Sequence, residues 1–216
     1  MSKSRRIAFD GMLAAVYFAL SLLVVDTGSL KFTFTSLAIV AAALLFGTWD
    51  ACAVAFVGEL LYQVIKFGVT ATTPIWMLPP VLHALLLGLC ALLLGRKRPL
   101  AERTVPCFAA CMGCALVNSL MNTLALYIDS QYYGYYQYHM VFGLALVRFA
   151  VGLGTALLVT AVAIPLVRTL RAKGLVPLPK NKFQRSNTLC LTKKPYNTSM
   201  PSPGRAPGRG WPGSRS

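Results

Sequence analysis

Apolar residues fill the first 170 positions in six long blocks, broken by short polar or glycine-containing connections. A helix needs roughly 20 apolar residues to cross a hydrocarbon core of about 30 Å. The blocks lie at about 7–25, 32–47, 49–67, 76–95, 105–128 and 139–170. They predict an all-α fold, a bundle of six transmembrane helices. The second block is short, and the sixth is long enough to tilt or to protrude. Gly47-Thr48-Trp49-Asp50 forms the turn between the second and third. Pro79 and Pro80 fall in the first turn of the fourth, where proline costs little. No stretch alternates with period two for long enough to build a membrane barrel. The first block has a basic start but no small-residue cleavage site, so it reads as a retained helix and not a signal peptide.

Charge sets the expected orientation. Basic residues in short loops mark the cytoplasmic side. Lys3, Arg5 and Arg6 precede the first helix, Arg96, Lys97, Arg98 and Arg103 fall between the fourth and fifth, and Arg168, Arg171 and Lys173 follow the sixth. The alternate connections hold only Lys31, Lys66 and a 129–138 segment with no basic residue. Both termini are therefore expected in the cytoplasm of a multi-pass plasma-membrane protein, with loops 26–31, 67–75 and 129–138 outside. Only 12% of the residues are charged and 56% are hydrophobic. That balance excludes a soluble nucleic-acid-binding domain, despite a net charge of +15.

The chain divides into a membrane domain, 1–170, and a basic tail, 171–216. The tail holds ten of the 21 basic residues, none of the six acids and seven of the 13 prolines. Such a composition buries too little apolar surface to offset its ordering entropy, so disorder is expected. It fits either a segment lying on anionic lipid or an unselected extension. Asn197-Thr198-Ser199 matches a glycosylation acceptor but is inert on the cytoplasmic side.

Polar residues inside the spans carry the functional information, because burying them in a bilayer is costly. Glu59 lies midway along the third helix, with Tyr62, Gln63 and Lys66 on the same face. His83 stands near Trp76 on the fourth helix. Asn118 and Asn122 are one turn apart on the fifth, and Arg148 lies on the sixth. All fall at mid-depth or in the outer half, whereas a channel needs polar groups through its full depth. An outward polar cup is the expectation, lined by Glu59, Tyr62, Lys66, Trp76, His83, Asn118, Asn122 and Arg148. Each has an architectural alternative. Glu59 and Arg148 could neutralise one another, His83 could bond a core carbonyl, and the asparagines could join helices.

Residues 127–138, YIDSQYYGYYQY, contain six tyrosines. They read either as an interfacial aromatic belt or as a lid that stacks on a flat ligand, with Gly134 as its flexible point. Gly11, Ala15 and Ala19 place small residues four apart on the first helix, a spacing that lets another helix approach closely.

No HExxH, Gly-x-Ser-x-Gly or phosphate-loop motif appears, so neither an enzyme nor a cofactor site is expected. Cys107, Cys111 and Cys114 have a loose metal-like spacing without an obvious fourth ligand, and they read as helix packing.

With these residues the chain resembles the substrate-binding S component of energy-coupling factor (ECF) transporters. The segment 35–60, TSLAIVAAALLFGTWDACAVAFVGEL, is similar to that family's helix 2–turn–helix 3 signature, and Ala15-x-x-x-Ala19 to its helix 1 motif. The segment 118–126, NSLMNTLAL, and Arg148 resemble the folate branch, from which the chain departs at Asp26 and Ala125. The resemblance covers about 5–170. It implies capture of a vitamin of the folate type from outside. It also implies association with a membrane coupling subunit and two cytoplasmic ATPases, which supply the energy for import. The competing expectations are an S component for a different vitamin and a small membrane scaffold protein.

Overall fold

The computed structural model describes residues 3–23, 25–26, 31–95 and 99–172. The basic residues 96–98 and nearly all of the tail lie outside the described residues.

Each apolar block forms a helix: α1 Lys3–Leu22, α2 Ser36–Leu45, α3 Thr48–Phe67, α4 Thr73–Leu94, α5 Thr104–Tyr133 and α6 Ala145–Ala172. Between α1 and α2 runs a two-residue antiparallel pair, Val25 with Phe32 and Asp26 with Lys31. A 3₁₀ turn, Leu100–Glu102, precedes α5, and a π turn, His139–Gly143, leads into α6. By length and composition Thr73–Leu94, Thr104–Tyr133 and His139–Ala172 can cross a membrane. Their outward faces keep Leu85, Leu89, Leu92, Leu120 and Leu158 exposed, as lipid-facing surfaces do. The long α1 and α3 carry more charge: Lys3, Arg5, Arg6 and Asp10 on one, and Asp50, Glu59 and Lys66 on the other.

The second helix sits at the centre of the bundle, against α1, α3, α4 and α6. It is apolar on every side, and a helix of that kind belongs in a core. Residues 38–45 are all buried. It is shorter than the 32–47 block predicts. Residues 31–32 are drawn into the strand pair, and Gly47, at φ 111°, ends the run in a conformation that favours glycine. Ten residues span about 15 Å, roughly half a bilayer core. The space beyond its N-terminus is therefore left for Thr33, Thr35 and Ser36, which face a cavity.

Two further boundaries differ from the sequence reading. The fourth helix starts at Thr73, with Pro74 in its first turn, so Pro79 and Pro80 lie inside it. They remove two intrahelical hydrogen bonds near the cavity, and Pro80 lines it. The fifth helix runs to Tyr133, where Gly134 in the left-handed region caps it. Half of the tyrosine-rich segment is thus rigid helix, and the loop shrinks to 134–138.

At the end of the bundle that holds the start of α1 and the end of α6, basic side chains tie helices together. Arg6 bonds Asp50 across α1 and α3 (Nε to Oδ2 2.7 Å) and forms an ion pair with it. Arg168 donates to the carbonyls of Ala101 (2.9 Å) and Glu102 (3.1 Å), and Arg171 donates to that of Leu44. Arginines at a helix C-terminus and a tight connection complement exposed carbonyls.

Close helix packing fixes α4 on α3. A Cβ on Gly88 would come within 2.6 Å of the Thr48 Cα. Because backbone cannot move aside cheaply, Gly88→Ala should destabilise the fold by about 1–3 kcal/mol. A lowered midpoint in thermal unfolding of the detergent-purified protein is the expected readout. An unchanged midpoint would contradict this packing.

Candidate functional site

A cavity of about 680 Å³ occupies the half of the bundle beyond the N-terminus of α2. It runs from the connections at Thr70, Thr72 and Tyr135 down to Cys111, Val159 and Thr160. Its size suits a small organic molecule. Seven of the eight residues expected in the cup line it: Glu59, Tyr62, Trp76, His83, Asn118, Asn122 and Arg148. They converge from α3, α4, α5 and α6. Lys66 stands behind this wall, exposed, with Nζ 5.4 Å from the Tyr62 ring centroid and 5.6 Å from that of Phe67. It holds these two rings by cation–π contact.

Glu59 is held on both oxygens. The Tyr17 hydroxyl donates to Oε2 at 2.7 Å, and Gln63 Nε2 donates to Oε1 at 2.7 Å. Two donors from different helices fix the carboxylate plane before any ligand arrives. Gly58 makes this possible, because any Cβ there would lie 2.4–2.9 Å from the Tyr17 side chain. Its bare surface lets the tyrosine ring lie flat on α3.

Arg148 does not pair with Glu59. Its guanidinium donates to the carbonyls of Met140 (2.8 Å) and Val141 (3.2 Å), bracing the π turn beside the cavity mouth. His83 Nδ1 lies 3.3 Å from the Cys114 carbonyl, so Nδ1 carries the proton and donates. Asp129 and Tyr135 also reach the cavity, and the Tyr135 hydroxyl donates to Asp129. Burial, and then the neighbouring carboxylate, push the Tyr135 phenol above its ordinary range, so it stays a donor at neutral pH. Around the mouth Tyr127, Tyr136, Tyr138 and Phe142 pack edge to face or tilted, with centroids 5.5–6.0 Å apart. Of the six tyrosines only Tyr133 and Tyr135 line the cavity.

Sequence reasoning missed Tyr17, Ser21 and Asp129. Tyr17 is 2% exposed and Ser21 2%, one turn apart on the inner face of α1. That i, i+4 polar pair within an apolar helix was the available signal. On the opposite face Gly11, Ala15 and Ala19 are all exposed, and nothing lies within 4 Å of a Cβ placed on Gly11. Among the described residues no group of three metal-binding side chains comes together, and Cys107, Cys111 and Cys114 lie in the core.

The model of a protein family described as ECF transporter, substrate-specific component, matches residues 5–170. No curated protein matches the chain.

Proposed function

Because the chain belongs to the substrate-specific components of ECF transporters, membrane proteins that bind a transported small molecule and are not enzymes, we propose that it captures a folate-type vitamin for import. In this reading all six helices span the plasma membrane, both termini lie in the cytoplasm, and the tail outside the membrane domain begins after Ala172, where α6 ends, two residues later than the sequence boundary. The cavity faces outside. The protein then joins a membrane coupling subunit and two cytoplasmic ATPases, whose energy drives transport, with Gly11, Ala15 and Ala19 as the face that meets the coupling subunit.

The observation that carries the reading is Glu59. It is a carboxylate halfway along an apolar helix, lining a vitamin-sized cavity and oriented by Tyr17 and Gln63. A pterin presents an amino group and a ring N–H side by side, an edge that a carboxylate accepts with both oxygens. Asn118 and Asn122 supply further hydrogen bonds, and Trp76 and Tyr62 supply ring contacts. The anionic glutamate of folate lies nearer the mouth, towards Arg148, with Lys66 adding positive charge behind.

Calorimetric titration of the purified chain with folate and with bare pterin tests this. The expectation is one site for each, with folate the tighter ligand. Binding of a different vitamin and of neither pterin would leave the transport role and remove the folate assignment. Binding of no small molecule would favour a scaffold.

A further inference from the structure

Two acids and one arginine line the cavity: Glu59, Asp129 and Arg148. Glu59 and Arg148 each meet part of the proposed ligand, and Asp129 meets none of it. Asp129 is 8% exposed and stands at the mouth, where its carboxylate accepts the Tyr135 hydroxyl. Among the described residues it has no ion-pair partner. A carboxylate kept without a cation at the edge of a membrane bundle is costly, so it marks a function. Its height relative to Arg148 follows from the packing of α5 and α6. A Cβ on Gly152 would lie 2.4 Å from Ser119 Oγ, and Arg168 Nη2 donates to Thr104 Oγ1 at 2.9 Å. These two contacts fix an antiparallel register, so Arg148, one turn before Gly152, lies level with Thr123. From there Asp129 is about 9 Å further along α5 towards the mouth.

We propose that Asp129 is the charge selector of the mouth: it limits the ligand to a tail whose negative charge Arg148 can balance, and it disfavours tails with further carboxylates. The inference rests on the pterin reading above, in which the tail leaves a ring held at Glu59 and runs past Arg148 to the mouth. A carboxylate beside Arg148 is attracted by the adjoining guanidinium more strongly than it is repelled by Asp129, because the interaction weakens with distance. Any further carboxylate lies beyond Arg148 and closer to Asp129. Arg148 cannot follow it, since Nη1 and Nη2 already bond the carbonyls of Val141 and Met140. Among the described residues no lysine and no second arginine line the cavity. Like charges several Å apart, at an effective dielectric constant of about 20, change an affinity roughly tenfold. The Tyr135 hydroxyl holds Asp129 in place and keeps that charge at the mouth.

Calorimetric titration with bare pterin, folate and pteroyltriglutamate, whose longer tail carries more carboxylates, tests the proposal on the unaltered protein. At low ionic strength folate should bind about tenfold more tightly than pteroyltriglutamate. The gap should narrow in about 0.5 M salt, which screens charges near a surface. Asp129→Asn keeps an acceptor for the Tyr135 hydroxyl and removes the charge. It should raise the affinity for pteroyltriglutamate about tenfold and that for folate by less, and leave bare pterin within about twofold. Equal affinity of the parent for folate and pteroyltriglutamate would overturn the charge selector and leave the pterin reading standing. A gap that survives Asp129→Asn, or that salt does not narrow, would assign it to tail length and overturn the role of Asp129. Failure of bare pterin and folate to bind would overturn the pterin reading and this inference with it.

Discussion

Glu59→Gln should weaken binding of folate and of bare pterin alike, by about 3 kcal/mol or roughly a hundredfold in Kd. The carboxylate is held by Tyr17 and Gln63, both at 2.7 Å. An amide in its place offers one acceptor and one donor, so one hydrogen of the ligand edge meets another. Gln63 Nε2 also loses its partner if the new amide nitrogen takes the Oε1 position. A charged hydrogen bond made away from water is worth more than a neutral one, which is why the loss is large. Tyr17→Phe removes one orienting donor and keeps the charge. Its cost should stay below tenfold, in line with the modest value of single hydrogen bonds in membrane bundles. Calorimetry on monodisperse protein with an unchanged melting midpoint gives both numbers. If Glu59→Gln binds both ligands as the parent does, the carboxylate is not a ligand contact.

Replacing Ala15 and Ala19 together by leucine should abolish uptake in cells and leave ligand affinity within about twofold, since exposed substitutions away from a site change little. Both alanines are exposed, and the cavity residues of α1, Tyr17 and Ser21, face the other way. The leucines therefore disturb no internal packing. On a surface where another helix must come close, their bulk holds the two backbones apart and removes the van der Waals contact that drives association in lipid. Radiolabelled folate accumulation, alongside calorimetry on the same variant, separates the two effects. Normal uptake would show that this face docks no partner. Loss of both uptake and binding would make it part of the bundle's own packing.

The hydrophobic blocks made the six helices legible, because each apolar run had to become a helix to satisfy its backbone away from water. Their ends were less legible. The short α2 depends on residues 31–32 pairing with 25–26, a contact that periodicity cannot reveal. The rigid extension of α5 through Tyr133 depends on Gly134 accepting the left-handed cap. Most of the cup was readable because Glu59, His83, Asn118, Asn122 and Arg148 are costly where they stand, and the cost itself is visible in the sequence. The spacing of Tyr17 and Ser21 marks a polar strip on α1, but the place of Tyr17 in the site depends on Gly58 across from it, which admits its ring. Lys66 was read from the right face of α3. Its side chain is nonetheless drawn to two aromatic rings, which a helical wheel does not show. The hydrogen bonds of His83, Thr155 and Thr160 were not legible at all. Their direction depends on which backbone carbonyl each hydroxyl and the imidazole find in the folded bundle.

Native mass spectrometry of the detergent-released protein tests most directly whether this cavity holds a pterin vitamin. After incubation with folate, the parent should carry one folate per chain, and Glu59→Gln should lose it at the same concentration. A parent chain that takes up no folate, or a Glu59→Gln chain that holds it equally well, would contradict the account.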